Sequence, residues 1–172
     1  MLPSTAEVCV YFDALLRVGV GLCIIGVIRS ADPLLMLWVV VMTALFWVQH
    51  TVPRSSHDAE RIRTIFGASV VLQCLSVLLV AVITDIPGMW LIAGGQLLNA
   101  AVIVANDVRM PILNGWSENP CYCEADEYTR WWWLGDVFET TDCRWARWIV
   151  SPGDALEVIG MWALATHLLV VR

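Results

Sequence analysis

Residues 94–107, GGQLLNAAVIVAND, have the apolar character of part of a membrane-spanning helix, yet they carry three side-chain amides. An α-helix advances by about 100° per residue, so the polar side chains of this stretch fall on one side and leave the rest aliphatic. They are Gln96, Asn99, Asn106 and Asp107. Because an amide that faces lipid finds no hydrogen-bond partner, we expect this side to face protein.

The composition of the 172-residue chain is that of an integral membrane protein. Apolar residues make up 59%, charged residues 15%, and the mean hydropathy is +0.70, whereas a soluble domain has about 25% charged residues. All ten basic residues are Arg, which indicates a GC-rich genome such as that of an actinobacterium or one of its phages. The net charge of -6 and the pI near 4.9 argue against a nucleic-acid partner, because no basic face exists to neutralise phosphates.

We therefore predict an all-α integral membrane protein, a bundle of about five transmembrane helices in one domain covering residues 1–172. A span needs about 20 mostly apolar residues. Five such stretches occur, at residues 8–28, 34–50, 64–84, 88–107 and 152–171. A long loop, residues 108–151, contains several Trp and Cys residues and precedes the last span. Within it, the spacing of apolar residues over 142–150 predicts a short interfacial helix.

The distribution of Arg between the connections predicts the orientation. Arg54, Arg61 and Arg63 lie in the second connection, whereas the first holds only Arg29. The positive-inside tendency then places the N-terminus and the long loop in the cytoplasm and the C-terminus outside. The expected partners are the lipid bilayer and, beyond it, other membrane proteins or a second copy of the chain.

The third predicted span carries its own polar stripe, Ser69, Gln73 and Ser76. Because the turn to the fourth span is tight, equal depth in the two helices pairs Gln73 with Asn99 and Ser76 with Gln96. Such contacts are worth about 0.6 to 2 kcal/mol each in a bilayer. We interpret this amide stripe as a packing contact that holds the two helices together, with a solute pathway as the alternative.

Charged residues near the predicted cytoplasmic half form a second candidate site, a polar vestibule between spans one, four and five. Each costs at least about 2.5 to 3.5 kcal/mol if it is buried unpaired. The proposed members are Asp13, Arg17, Asn106, Arg109, Asp136, Asp154 and Glu157. The alternative is that Asp154 only caps a helix, Asp13 lies above the membrane and Arg17 extends to the head groups.

Depth along the helices makes a specific prediction for Arg17. At 1.5 Å per residue it lies roughly 13 Å into its span, and Glu157 lies about 9 Å in from the same side. A guanidinium has five donors in a fork that suits a carboxylate. We expect Arg17 to contact Glu157, Asp154 or both.

Two stretches have the pattern of a helix start. Ser55-x-x-Asp58 precedes the third span and Ser151-Pro152-Gly153-Asp154 precedes the fifth. Both fit a capping box, in which side chain and backbone hydrogen-bond reciprocally.

Three short motifs carry a resemblance to a known family. They are Leu98-Asn99 with Ala105-Asn106-Asp107-Val108-Arg109-Met110-Pro111, Leu134-Gly135-Asp136, and Ser151-Pro152-Gly153-Asp154. Over roughly residues 90–160 the chain resembles an uncharacterised family of small multi-pass bacterial membrane proteins, a domain of unknown function. It departs from that family at Asp107, where members tend to have Gly. The resemblance implies no reaction. It implies important roles for Asn99, Asn106, Arg109, Asp136 and Asp154.

Other chemistry receives little support. His50 and His167 lie at opposite ends of their spans, so a bis-His haem is disfavoured, and no cofactor is predicted. Cys121, Cys123 and Cys143 with His57 form a weak zinc candidate, because C-x-C is not the usual C-x2-C spacing. Asp136 and Asp154 are the candidates for a membrane-embedded hydrolase, which would need two neighbouring carboxylates that share a proton.

Three functions therefore remain. The sequence favours a non-catalytic interaction or assembly subunit. The alternatives are a small-solute or ion pathway through the polar vestibule and a hydrolase that uses Asp136 and Asp154.

The predicted orientation can be tested through the loop cysteines. If the long loop is cytoplasmic, Cys121, Cys123 and Cys143 lie in a reducing compartment. We expect a membrane-impermeant thiol reagent to leave them unlabelled in intact cells and to reach the loop only after permeabilisation. Labelling in intact cells would invert the topology.

Overall fold

In a computed structural model of the chain, the described residues form five α-helices, which confirms the all-α prediction. The structure describes residues 5–51, 58–113, 119–140 and 148–171, and side chains over slightly narrower ranges. The helices are α1, Thr5–Ser30; α2, Pro33–Thr51; α3, Ala59–Thr84; α4, Pro87–Ala105; and α5, Pro152–Thr166, which continues as a π-helical turn, His167–Val171. Each predicted span overlaps one helix.

Three of these helices are long and apolar enough to cross a membrane. They are α3, α4, and α5 with its continuation to Val170. The apolar part of α2, Pro33–Val48, is shorter. Length and composition therefore fit a membrane protein.

Local side-chain chemistry sets the helix ends at the two tight turns. Asp32 caps α2, because its carboxylate accepts backbone N–H bonds from Leu34 at 3.0 Å and Leu35 at 3.3 Å. Asp85 ends α3 with a φ of 50°, in the left-handed region where helices commonly stop. Pro87 begins α4, at a position where its missing N–H costs nothing.

The predicted capping box at the start of α5 is confirmed. The Ser151 hydroxyl accepts a bond from the backbone N–H of Asp154 at 3.0 Å, and the Ser151 N–H donates to the Asp154 carboxylate at 2.9 Å. The other predicted box is not formed as expected: Asp58 is the N-cap of α3 but makes no side-chain capping bond, and Ser55 lies outside the described residues.

Helices α4 and α5 are antiparallel and touch through their backbones at two glycine pairs. Gly88 lies against Gly160, and Gly95 lies against Gly153. A Cβ atom on Gly160 would lie 2.7 Å from the backbone nitrogen of Ile92 and 2.8 Å from the carbonyl oxygen of Gly88. Small residues at such a contact let helix backbones approach closely, which drives association in lipid.

The other helices complete the bundle around this pair. Helix α3 packs between α2 and α4, and α5 packs between α4 and α1. The indole N–H of Trp162 on α5 donates to the carbonyl oxygen of Leu15 on α1 at 3.0 Å. All five helices contribute to one apolar cluster, at the end of the bundle that holds the tight turns. Its buried members are Cys23, Val27, Leu35, Trp38, Val77, Val80, Ala81, Ile86, Met89, Ile92, Ala93, Leu164, Ala165 and Leu168.

The region between α4 and α5 contains short strands. Strand β1, Met110–Ile112, pairs in parallel with β2, Tyr122–Glu124, and Ile112 also bridges to Asp136. Strand β3, Phe138–Thr140, pairs antiparallel with β4, Trp148–Val150. We call residues 106–113 and 119–138 the cap.

The prediction of a short helix at residues 142–150 is wrong for the last three residues, which form strand β4. Residues 141–147 lie outside the described ranges. Trp, Ile and Val favour strands. In addition, strand β3 satisfies the backbone hydrogen bonds of β4. A short sequence window around residues 142–150 does not contain this partner strand.

The close contact of α4 with α5 makes a prediction about Gly160. Substitution Gly160→Ala forces a methyl group against backbone atoms that cannot rotate away, so we expect a loss of about 1 to 3 kcal/mol of stability. The control is Gly21→Ala in α1, where a Cβ meets no atom within 4 Å and alanine favours the helix. Thermal unfolding in detergent micelles measures both variants. Equal melting temperatures would contradict the close contact.

Candidate functional site

The amides of α4 turn toward the first two turns of α5. The Gln96 amide donates to the Glu157 carboxylate at 3.0 Å. The Asn99 amide donates to Asp154 at 2.9 Å and to Glu157 at 3.4 Å, and its oxygen accepts a bond from the Ser151 hydroxyl at 2.8 Å. We call these five residues the carboxylate–amide cluster.

The spacing of the cluster follows from antiparallel packing. Gln96 and Asn99 are three residues apart on α4, as are Asp154 and Glu157 on α5, so each pair lies on one helix face. Because the chains run in opposite directions, Gln96 reaches Glu157 and Asn99 reaches Asp154. The neighbouring Gly95 contact keeps the backbones close enough for these short side chains to meet.

Helix α3 contacts α4 at the predicted depth, but the hydrogen bond between them is made by Cys74 and a backbone carbonyl. The Cys74 thiol of α3 donates to the backbone carbonyl of Gln96 at 3.4 Å. The Ser76 hydroxyl donates to the carbonyl of Gln73 in its own helix at 2.9 Å and lies 3.5 Å from the Met42 sulfur. The side-chain hydrogen bonds of Gln96 and Asn99 described above run to α5 rather than to the sequence-adjacent helix.

Asp136 of the cap is brought to the start of α5. Its N–H donates to Pro111 at 2.8 Å, and its carbonyl accepts from Leu113 at 3.1 Å, which fixes it against β1. Two residues further along the chain, Phe138 pairs with Val150, which lies two residues before α5. Its side chain is 9% exposed.

Burial has a direct effect on the Asp136 carboxyl. Desolvation, followed by the negative charge of Asp154, raises the pKa of Asp136 from 3.8 to about 8. Desolvation disfavours the charged form, and a neighbouring carboxylate adds to this. The group is therefore mainly protonated at neutral pH. The structure thus brings together Asp136, Asp154 and Glu157 of the predicted vestibule.

Asn106 has a separate role at the end of α4. Its amide donates to the carbonyls of Val102 and Arg130, each at 2.8 Å, and its oxygen accepts from the Arg130 N–H at 2.9 Å. It therefore fastens the cap to α4. Arg17 is exposed on α1, and its contact with Glu157 or Asp154 stays a prediction, while the Asp13 side chain lies outside the described ranges.

Arg109 lies on a polar cavity of about 630 Å³ at the outer side of the cap. Its guanidinium forms an ion pair with Asp107 at 3.5 Å. The cavity is lined by Ala105, Asn106, Asp107, Arg109, Tyr122, Cys123, Glu124, Asp126, Tyr128, Thr129 and Arg130. Partial burial raises the pKa of the Cys123 thiol, and Arg109 offsets this only in part. A thiol in this state is a poor nucleophile at neutral pH.

The described residues contain no group of three or more His, Cys, Asp or Glu side chains placed to hold a metal ion. Of the zinc candidate, Cys121 is buried in the cap and Cys123 lines the cavity. Cys143 and His57 lie outside the described ranges, so the zinc hypothesis stays untested.

Sequence reasoning missed the second role of Ser151, which caps α5 and also donates to Asn99. The available signal was the glycine spacing. Gly88 and Gly95 are seven residues apart on α4, as are Gly153 and Gly160 on α5. Matching intervals of small residues on two apolar helices indicate that these helices pack on each other.

The cluster predicts that Asn99 contributes strongly to stability. Substitution Asn99→Leu removes its bonds to Asp154, Glu157 and Ser151, and each buried polar group left unsatisfied costs about 1 to 3 kcal/mol. The matched control is Ser76→Ala, which removes a hydroxyl bonded within its own helix. We expect a clearly larger fall in melting temperature for Asn99→Leu than for the control. Similar values would mean that the α4 amides do not hold the bundle together.

Comparison with known proteins places the chain in a family. No curated protein and no solved structure matched it. Residues 28–121 match the family model described as Family of unknown function (DUF5317). The match includes α4 and the Asn106 to Pro111 motif, but it ends before the Leu-Gly-Asp and Ser-x-Gly-Asp motifs of the resemblance noted from the sequence. Because it extends over more than half of the chain, the protein belongs to this uncharacterised family, DUF5317.

Proposed function

We propose that this chain is a multi-pass protein of the cell membrane that serves as a non-catalytic interaction or assembly subunit. The proposal rests on the hydrogen bonds that the polar stripe of α4 makes within the chain. The amides of Gln96 and Asn99 donate to carboxylates of the same chain, and Asn99 also accepts a bond from Ser151. Amides that donate to carboxylates of the neighbouring helix act as packing contacts between the two helices.

The proposed topology has five spans, with the N-terminus and the cap in the cytoplasm and the C-terminus outside. Three helices of suitable length and composition support it, and the alternation of the five helices puts the start of α1 and the cap on one side. The Arg residues in the connection between α2 and α3 favour a cytoplasmic location for that connection, and this sets the orientation of the chain.

A hydrolase receives less support from the same geometry. Asp136 is close enough to Asp154 for the charge of Asp154 to raise its pKa. However, Asp154 uses one oxygen to accept from Asn99 and the other to accept from the Ser151 N–H. The cavity of about 630 Å³ is lined by neither carboxyl group. A substrate in that cavity would meet neither proposed catalytic residue.

An ion pathway is the second candidate, and one observation favours it. Three carboxyl groups, Asp136, Asp154 and Glu157, lead from the cap into the α4–α5 pair, and intramembrane carboxyl groups often mark ion or proton routes. Beyond Gln96 the route meets the apolar cluster formed by all five helices. A pathway would require this cluster to open.

Reconstitution separates the two candidates. We expect purified protein in liposomes to dissipate an imposed proton or sodium gradient no faster than protein-free liposomes do, because the apolar cluster closes the bundle. Flux that disappears in Glu157→Gln but persists in Ser76→Ala would establish the pathway and contradict the proposal.

The assembly function makes a positive prediction about the native membrane. Extracted in mild detergent, the chain should migrate in a complex larger than the purified chain alone, with a fixed stoichiometry of a second component by native mass spectrometry. The folded control Gly21→Ala should retain this complex. A chain that migrates at its own mass from native membranes would refute an assembly role.

A further inference from the structure

The polar cavity of the cap is built on the last residues of α4. Its wall combines Ala105, Asn106 and Asp107 with residues of the cap. Helix α4 is long and apolar enough to cross a membrane, and Asn106 bonds the backbone of Arg130 to its end. With α4 in the bilayer, as proposed above, the cavity lies at the level of the lipid head groups. Its volume of about 630 Å³ is in the usual range of ligand pockets, about 300 to 1,000 Å³.

Two side chains of opposite charge line this cavity without pairing. Among the described residues, the ion pair at the cavity joins Arg109 to Asp107. Arg130 and Glu124 are both exposed and both line the cavity. Within the same part of the chain, neither of these two side chains has an ion-pair or hydrogen-bond partner. The cavity therefore offers a positive and a negative group to a ligand.

The positive side of the cavity has donors to spare. The Arg109 guanidinium lies 3.5 Å from the Asp107 carboxylate, at the long limit of a hydrogen bond. Its buried Nε has no hydrogen-bond partner among the described residues. A guanidinium has five N–H donors, so Arg109 is only partly satisfied and Arg130 keeps its whole fork. Planar N–H forks of this kind suit the oxygens of a phosphate group.

The negative side of the cavity consists of Glu124 and Asp126. Asp126 uses one oxygen, Oδ1, to accept from the N–H of Tyr128 at 2.9 Å and from the hydroxyl of Thr129 at 2.8 Å. Its second oxygen and both oxygens of Glu124 remain as acceptors. Carboxylates accept N–H bonds from an ammonium group. A ligand that satisfies both sides carries a phosphate and an ammonium.

Three exposed Trp residues follow Arg130 directly and favour a lipid as the source of this ligand. Trp131, Trp132 and Trp133 are 52%, 45% and 55% exposed. Indole rings are enriched at the head-group level of a bilayer, where the ring is shielded and its N–H stays in contact with water. The cap thus presents a surface suited to lipid beside the cavity.

We propose that the cavity binds the zwitterionic head group of a phospholipid whose phosphate carries ethanolamine. Arg130 and Arg109 contact the phosphate, and Glu124 accepts an N–H bond from the ammonium. The acyl chains pass the Trp residues into the bilayer. A primary ammonium has three N–H donors, which the quaternary ammonium of choline lacks. The proposal rests on the membrane location given under the proposed function and is independent of an assembly role.

Lipid titration of the purified chain tests the selectivity. Delipidated protein in detergent micelles is titrated with phosphatidylethanolamine, phosphatidylglycerol or phosphatidylcholine of the same acyl chains, and native mass spectrometry counts the bound lipids. We expect phosphatidylethanolamine to bind at least about threefold tighter than the other two, because it alone offers both a phosphate and ammonium N–H donors. Equal affinities for the three lipids would overturn the proposal.

Two cavity variants test the two ends of the head group. Arg130→Gln and Glu124→Gln should each weaken phosphatidylethanolamine binding by at least about threefold. Glu124→Gln should leave phosphatidylglycerol binding undiminished, because that lipid has no ammonium. The matched controls are Arg61→Gln on α3 and Glu127→Gln on the cap, which are exposed and do not line the cavity. Because all four side chains are exposed, the lipid-free melting temperatures should stay at the wild-type value. Controls that weaken binding as much as the cavity variants do would contradict the proposal.

The free head group distinguishes a lipid from a soluble ligand. O-phosphoethanolamine carries the same phosphate and ammonium but no acyl chains, and isothermal titration measures its binding. We expect Trp133→Ala to weaken phosphatidylethanolamine binding by at least about threefold and to leave O-phosphoethanolamine binding unchanged. If both ligands bound equally well and neither responded to Trp133→Ala, the cavity would belong to a soluble phospho-amine and the lipid assignment would be wrong.

Failure of this proposal can be told apart from failure of the assembly role. A chain that migrates at its own mass from native membranes but selects phosphatidylethanolamine would refute the assembly role alone. A stable native complex whose chain shows no lipid selectivity would overturn only the head-group site.

Discussion

The backbone contact between α4 and α5 is the constraint on which the other features depend. Two glycine pairs bring the helices so close that a Cβ on Gly160 would lie 2.7 Å from a backbone nitrogen. At this separation the short side chain of Asn99 reaches Ser151, Asp154 and Glu157. In lipid, where apolar surfaces gain nothing from leaving water, such close packing and hydrogen bonding supply the driving force for association. The cluster is thus a consequence of the glycines.

The three motifs on which the resemblance was based meet at one end of the bundle. Asn106 ends α4 and fastens the cap, the Leu-Gly-Asp motif docks on β1, and the Ser-x-Gly-Asp motif opens α5. Asp107 has a φ of 55°, in the left-handed region that favours glycine. Motifs separated by many residues therefore maintain one junction, consistent with a structural rather than a chemical role.

Polarity is distributed unevenly along the bundle. The carboxylate–amide cluster lies toward the cap, whereas the apolar cluster built by all five helices lies toward the tight turns. Hydrogen-bonded carboxyl groups near a membrane surface are tolerable because their partners and nearby water share the cost of burial. The same residues placed within the apolar cluster would be surrounded by apolar side chains. This asymmetry argues against a continuous polar route through the bundle.

The lengths of the hydrophobic stretches were enough to predict five helices, and Pro152 and Asp154 were enough to predict the capping box at Ser151. The polar stripe predicted that Gln96 and Asn99 face protein. These features depend on local periodicity and capping, which a sequence shows directly. The partner helix of those amides depends on tertiary structure. Sequence adjacency pointed to α3, but the α4–α5 glycine contact connects segments more than forty residues apart. Likewise, the strand at 148–150 forms because β3 satisfies its backbone, and Asp136 is held in place by backbone bonds to Pro111 and Leu113. Long-range contacts of this kind leave no periodic signal in either segment alone.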